Sequence, residues 1–148
     1  MNIRIAGVVP ESITDGEGIR FAIFMQGCMR NCKGCHNPQT HALDGGKVVD
    51  TGELIEQMKN NPLLSGITLT GGEPFLQITP ATELAKAAKN LGLNVWCYTG
   101  YKFEDLPPEA DELLKFVDVL VDGEYIEEQR DLELKFRGSK NQRIIELR

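Results

Sequence analysis

The sequence predicts an α/β fold: a partial, open (β/α) barrel with mostly parallel strands, built as a single domain over residues 1–148. Three observations carry this. Apolar runs of strand length alternate with stretches of helical periodicity, the pattern of βαβ units. A complete eight-fold barrel needs roughly 250 residues, so this chain can build only part of one. Each apolar run also leads into an unusual loop, and in parallel α/β sheets such loops collect on one rim.

The elements follow in chain order. Ile3–Val9 alternates as a strand does and is ended by Pro10; Asp15-Gly16-Glu17-Gly18 is a turn. Arg20–Gln26 is an apolar strand that runs directly into a cysteine loop. Asp50, with Glu53 three residues on, has the form of a capping box; it opens a helix through Leu54, Ile55 and Met58 that Pro62 closes. Gly66–Thr70 is the next strand, stopped by Gly71-Gly72. Thr79-Pro80 starts a helix whose Leu84, Ala87, Ala88 and Leu91 share one face, with Gly92 at its end. Leu93–Tyr98 is a further strand, and Pro107-Pro108 begins a helix carrying Leu113, Leu114 and Val117. Val117–Val121 and Arg143–Leu147 complete the strands.

Composition narrows the function. An apolar content of 41% with 26% charged residues suits a globular domain with a continuous core. A net charge of −6 argues against nucleic-acid binding. With no long apolar run and no signal-peptide layout at Met1-Asn2-Ile3-Arg4-Ile5, the expectation is a cytoplasmic protein with no membrane partner. Charge is uneven, however. Residues 18–43 carry no acid but hold Arg20, Arg30, Lys33, His36 and His41, and residues 135–145 hold Lys135, Arg137, Lys140 and Arg143 without an acid.

Cys28, Cys32 and Cys35 fall within eight residues, too close together to staple loops, and in a reducing compartment such a group reads as a metal site. Cubane iron–sulfur clusters normally take four thiolates. Three would leave one iron open, as chemistry at a metal requires. A zinc site completed by His36 or Cys97 is the plain alternative, but zinc sites usually join two ligand pairs and no second pair follows. A four-cysteine cluster using Cys97 is the other; Cys97 lies inside an apolar strand, where a buried structural thiol is commoner. The open cluster is favoured over both. Gly71-Gly72-Glu73-Pro74 would by itself be an ordinary strand-to-loop turn, although glycine also lets a backbone approach a ligand closely.

The spacing of Cys28, Cys32 and Cys35, with Gly71-Gly72-Glu73 one strand later, resembles the signature of radical S-adenosylmethionine enzymes. That resemblance implies a partial barrel of radical S-adenosylmethionine type. It also implies one [4Fe–4S] cluster on the three cysteines, with S-adenosylmethionine chelating the open iron. Reductive cleavage would give a 5′-deoxyadenosyl radical. By the same resemblance Gly71, Gly72 and Glu73 receive the cosubstrate, together with Gly34 and His36, and no catalytic residue is assigned beyond the cluster. Many members carry an aromatic residue just before the third cysteine; Gly34 stands there instead, leaving adenine packing to His36 or Tyr98.

A narrower likeness surrounds these motifs. Asp15-Gly16-Glu17-Gly18-Ile19-Arg20, Phe24-Met25-Gln26-Gly27-Cys28 and Cys35-His36-Asn37-Pro38 resemble the opening of glycyl-radical-enzyme activases. Tyr98-Thr99-Gly100-Tyr101, Val119-Leu120-Val121-Asp122-Gly123 and the tail Phe136–Arg143 resemble the branch that serves anaerobic ribonucleoside-triphosphate reductase. This implies that the large reductase subunit is the protein substrate and receives a glycyl radical, with an electron donor such as flavodoxin. Asp122 and Arg137 are then candidates to orient the ribose or the partner's glycine loop, or simply a salt bridge on the rim. The alternatives are an activase of another glycyl radical enzyme, such as pyruvate formate-lyase, and a zinc-binding or electron-transfer module without catalysis.

Overall fold

A computed structural model describes residues 1–27, 42–43, 45–131 and 133–148. Seven strands form one open sheet in the order β3-β1-β2-β4-β5-β6-β7. They are β1 (Asn2–Ser12), β2 (Arg20–Met25), β3 (Lys47–Asp50), β4 (Gly66–Gly71), β5 (Asn94–Tyr98), β6 (Val119–Asp122) and β7 (Arg143–Glu146). The helices are α1 (Thr51–Lys59), α2 (Ile78–Asn90) and the single-turn α3 (Asp111–Leu114).

The expectation of mostly parallel strands needs correction. The four central strands β2, β4, β5 and β6 are parallel, but β1 runs antiparallel to both β2 and β3, and β7 antiparallel to β6. Connection length explains β1. Residues 13–19 are too few for the crossover that a parallel neighbour demands, so the chain turns back as a hairpin. The sheet does not close, and its two edges are the short strands β3 and β7. Strand β3 lies where the sequence predicts none.

Helix boundaries differ in one place. Asp50 caps α1, but it accepts from Gly52 N–H at 2.9 Å rather than from Glu53 N–H as a capping box would. The helix expected from Pro107-Pro108 is instead a 3-10 turn, Pro108–Ala110, continued by the four residues of α3. Asp118 ends this segment. Its carboxylate accepts from Val95 N–H at 2.8 Å and from the Lys89 ammonium at 2.9 Å, so β6 starts at Val119 rather than Val117.

Alternate residues of the central strands serve two faces. Phe21, Ile23, Met25, Ile67, Leu69, Val95, Cys97 and Leu120 pack under the helices against Leu54, Met58, Leu84, Ala88 and Leu113. On the opposite face Trp96, Val119 and Val121 form a smaller cluster with Tyr98 and Phe136. Phe136 meets Trp96 edge-on with ring centroids 5.3 Å apart. It does so at a φ of 62°, a left-handed conformation costing about 1–2 kcal/mol that the aromatic contact helps offset.

Arg20 lies on this second face and is 1% exposed. Its guanidinium donates to Thr68 Oγ1 (2.8 Å), Glu17 O (2.8 Å), Ile67 O (2.7 Å), Asn94 O (3.1 Å) and Asn94 Oδ1 (2.9 Å), and sits 5.5 Å from the Trp96 ring centroid. Thr68 in turn donates its hydroxyl to Asp15 O at 2.6 Å. One buried cation thus ties the Asp15–Gly18 turn to β4 and β5.

Candidate functional site

Because β2, β4, β5 and β6 are parallel, their C-terminal ends share one edge of the sheet, and all four exit loops meet there. The first exit is Gln26-Gly27, which leads into the cysteines. Cys28, Cys32, Gly34, Cys35 and His36 lie outside the described residues, but the segment's two ends do not. The Gln26 side chain, 3% exposed, donates to Ala42 O at 2.7 Å, joining the chain entering the cysteine segment to the chain leaving it. Gln77 holds the same corner from the next loop. Its amide donates to Arg4 O (2.8 Å) and Gln26 O (3.2 Å), and its carbonyl accepts from Arg4 N–H (2.9 Å).

The second exit is Gly71-Gly72-Glu73. Gly72 N–H donates to Met25 O at 2.8 Å and Glu73 N–H to Gly27 O at 2.7 Å, so the turn is bonded to the backbone one residue before Cys28. Gly71 has φ 92°, and a Cβ there would fall 2.6 Å from Met25 N. Only glycine allows the two backbones to run this close.

Glu73 continues the chain of contacts into the third exit. The residue is 1% exposed, and its carboxylate accepts from the Thr99 hydroxyl (2.8 Å), Gly100 N–H (2.8 Å) and Phe75 N–H (3.2 Å). Thr99 N–H donates to Val121 O at 2.9 Å and Gly123 N–H to Tyr101 O at 2.9 Å, which brings in the fourth exit. Gln26-Gly27, the glycine turn, Thr99-Gly100-Tyr101 and Asp122-Gly123 are therefore joined by one continuous hydrogen-bonded belt. The sequence reading singles out Gly71, Gly72 and Glu73; Gln26 and Thr99 enter it only as members of quoted motifs, without a role, and Gln77 does not enter it. Their side-chain amides and hydroxyl carry no pattern until the strands are paired.

Asp122 and Arg137 do not form a pair. Asp122, 1% exposed, accepts from Arg143 Nε at 3.0 Å and from Arg143 Nη2, while Phe103 N–H donates to its second oxygen at 2.7 Å. Arg137 donates to Gln142 O at 2.9 Å. Burial pushes the Asp122 carboxyl up, but the Arg143 and Phe103 hydrogen bonds outweigh it and leave the group below the ordinary aspartate range. A folded value below the unfolded one means stability present above about pH 4 and lost as pH falls through the folded value. Asp122→Asn should therefore show a flatter urea midpoint between pH 6 and pH 3 than the parent chain. An equally steep acid loss in the variant would exclude this latch.

Cys97 sits in the helix-side core, 0% exposed, and burial followed by the nearby Glu73 charge raises its thiol well above the usual value. It packs as a small apolar residue. Cys97→Ala should cost about 1–2 kcal/mol by urea titration and leave iron binding intact; loss of iron in this variant would restore the four-cysteine reading.

The donor set suits an iron–sulfur group. Three soft thiolates come from one short segment with its ends fastened at Gln26 and Ala42, and a bare-backbone glycine turn adjoins its base. Among the described residues no helix is long and apolar enough to cross a membrane.

Comparison with known proteins is consistent with this chemistry. The family described as 4Fe-4S single cluster domain matches residues 14–145. Three similar proteins are each called anaerobic ribonucleoside-triphosphate reductase-activating protein. That of Haemophilus influenzae is 34% identical, covering 91% of this chain and 92% of its own. That of Enterobacteria phage T4 is 34% identical over 93% and 90%, and that of Escherichia coli K12 is 30% identical over 94% and 96%. Among solved structures, QueE from Escherichia coli superposes with a TM-score of 0.50 at 18% identity, covering 68% of this chain and about half, 53%, of its own; this likeness concerns the fold alone.

Proposed function

The chain belongs to the family of anaerobic ribonucleoside-triphosphate reductase-activating proteins, and from that premise we propose that it activates the reductase through an open-site [4Fe–4S] cluster held by Cys28, Cys32 and Cys35. The observation that carries the reading is the bond from Glu73 N–H to Gly27 O at 2.7 Å, which fastens the glycine turn beside the start of the cysteine segment. When bound, the cluster and S-adenosylmethionine supply the one-electron chemistry that ends in a glycyl radical on the reductase.

The remaining work belongs to the chain's own residues. Gly71 and Gly72 present bare backbone to the cosubstrate's methionine end. Glu73 holds that backbone in place through Thr99, Gly100 and Phe75, and its buried charge favours an ammonium nearby. Gly34 and His36, flanking Cys35, contribute the remaining cosubstrate contacts. The protein substrate is the large reductase subunit, and an electron donor such as flavodoxin supplies the electron. A thiolate cluster of this kind suits the reducing cytoplasm. The matched names favour this partner over another glycyl radical enzyme, and the matched cluster family weighs against a zinc module.

The test is anaerobic reconstitution followed by S-adenosylmethionine cleavage with and without the large subunit. The expected result is a brown protein that cleaves the cosubstrate and yields a glycyl doublet by electron paramagnetic resonance. A colourless zinc protein without cleavage would exclude the proposal.

A further inference from the structure

Beyond the belt, where β5 and β6 exit, the rim holds a pocket of about 440 Å³ lined by Lys102, Glu104, Asp122, Ile126, Gln129 and Arg143 among others. Its four charges are not equivalent. Asp122 is buried and fixed by Arg143 and Phe103 N–H. Glu104 places both oxygens on Arg143 Nη2, at 2.9 and 3.0 Å, from a side chain that is 61% exposed. An exposed pair of this kind is worth only about 0–1 kcal/mol, so Glu104 can be displaced. Among the described residues, the Lys102 ammonium and the Gln129 side-chain amide make no hydrogen bond or ion pair, while the Gln129 backbone N–H donates to Ile126 O.

The charges left once Glu104 moves aside are Lys102, Arg143 and Asp122, a net of one positive charge. A single carboxylate balances that. A polyphosphate would overshoot it and sit against buried Asp122. The flanks are mixed in sign: Arg143 belongs to the acid-free stretch of residues 135–145, whereas Glu124, Glu127 and Glu128 adjoin Ile126 and Gln129 in the chain. Half-buried Ile126 gives an apolar wall and Gln129 an amide for peptide groups. We propose that this rim pocket docks an acidic segment of the reductase polypeptide, whose carboxylate displaces Glu104 from Arg143 and pairs with Lys102. The identity of the partner rests on the function proposed above; the pocket itself does not.

The two substitutions have opposite signs. With the reconstituted protein immobilised and the large subunit in solution, Lys102→Glu should weaken binding by about tenfold. Glu104→Gln should tighten it by about two- to fivefold, the size of the exposed pair it removes. Both variants should keep the parent's cosubstrate cleavage measured without reductase. If both bind the reductase within twofold of the parent, or if Glu104→Gln binds more weakly, the docking site is overturned while the function stands. Inorganic tripolyphosphate binding that Lys102→Glu abolishes, with reductase binding unchanged, would also overturn it, in favour of a free anion. An absence of cleavage in the parent protein would instead count against the function.

Discussion

Replacing Arg20 with leucine is expected to lower the unfolding free energy by roughly 3–4 kcal/mol, seen as a large fall in the urea midpoint. The reason lies in what the guanidinium leaves behind. It serves five acceptors on three segments, and leucine would leave the carbonyls of Glu17, Ile67 and Asn94 without that donor in a closed space. Burial lowers the Arg20 pKa to about 10, so it remains a cation at neutral pH, stabilised by oxygens and by the Trp96 ring. The space around it is tight: a Cβ on Gly66 would lie 2.2 Å from Asn94 O and 2.6 Å from Arg20 Nη2. Arg20→Lys should recover only part of the loss, because an ammonium cannot span the acceptors that a planar fork reaches. A leucine variant within 1 kcal/mol of the parent would show that the cation is incidental to the fold.

Cys28→Ala is the change with the largest expected effect on activity. Iron should fall from about four atoms per chain to near zero, and cosubstrate cleavage and the glycyl doublet should fall to background. The fold itself should be little affected, since the core under the helices and the belt from Gly27 to Gly123 are packed and bonded among described residues. The urea midpoint of the apo variant is therefore expected to match that of the apo parent. A variant that keeps its iron and its cleavage would remove Cys28 from the ligand set, and with it the three-thiolate site.

The central strands are legible in the sequence because they are of strand length and stop at glycines; Arg20–Gln26 reads as an apolar run, and Gly66–Thr70 alternates Ile67 and Leu69 with β-branched threonines. Strand β3 is not, because Lys-Val-Val-Asp on an exposed edge buries too little to leave a pattern. The direction of β1 depends on which strand it meets, and no local periodicity encodes that. At the site, Gly71-Gly72 announces a close backbone approach, whereas Gln26 and Gln77 act only through the neighbours that folding gives them. Asp122 shows the limit most plainly. Arg137 and Arg143 are equivalent cations in one acid-free stretch, and only the register of β7 on β6, which sets Asp122 opposite Arg143, selects between them.

The bond from Gln26 to Ala42 O has a consequence for how metal is captured. Bringing together the ends of a loop of about fifteen residues costs roughly 3 kcal/mol of chain entropy. The bond from Gln26 to Ala42 O ties those ends with the protein's own residues. Cys28, Cys32 and Cys35 then meet the metal as one tridentate chelate at high effective concentration, not as three independent thiols. Weakening the tie, as in Gln26→Ala, should show first as faster release of iron to a competing chelator.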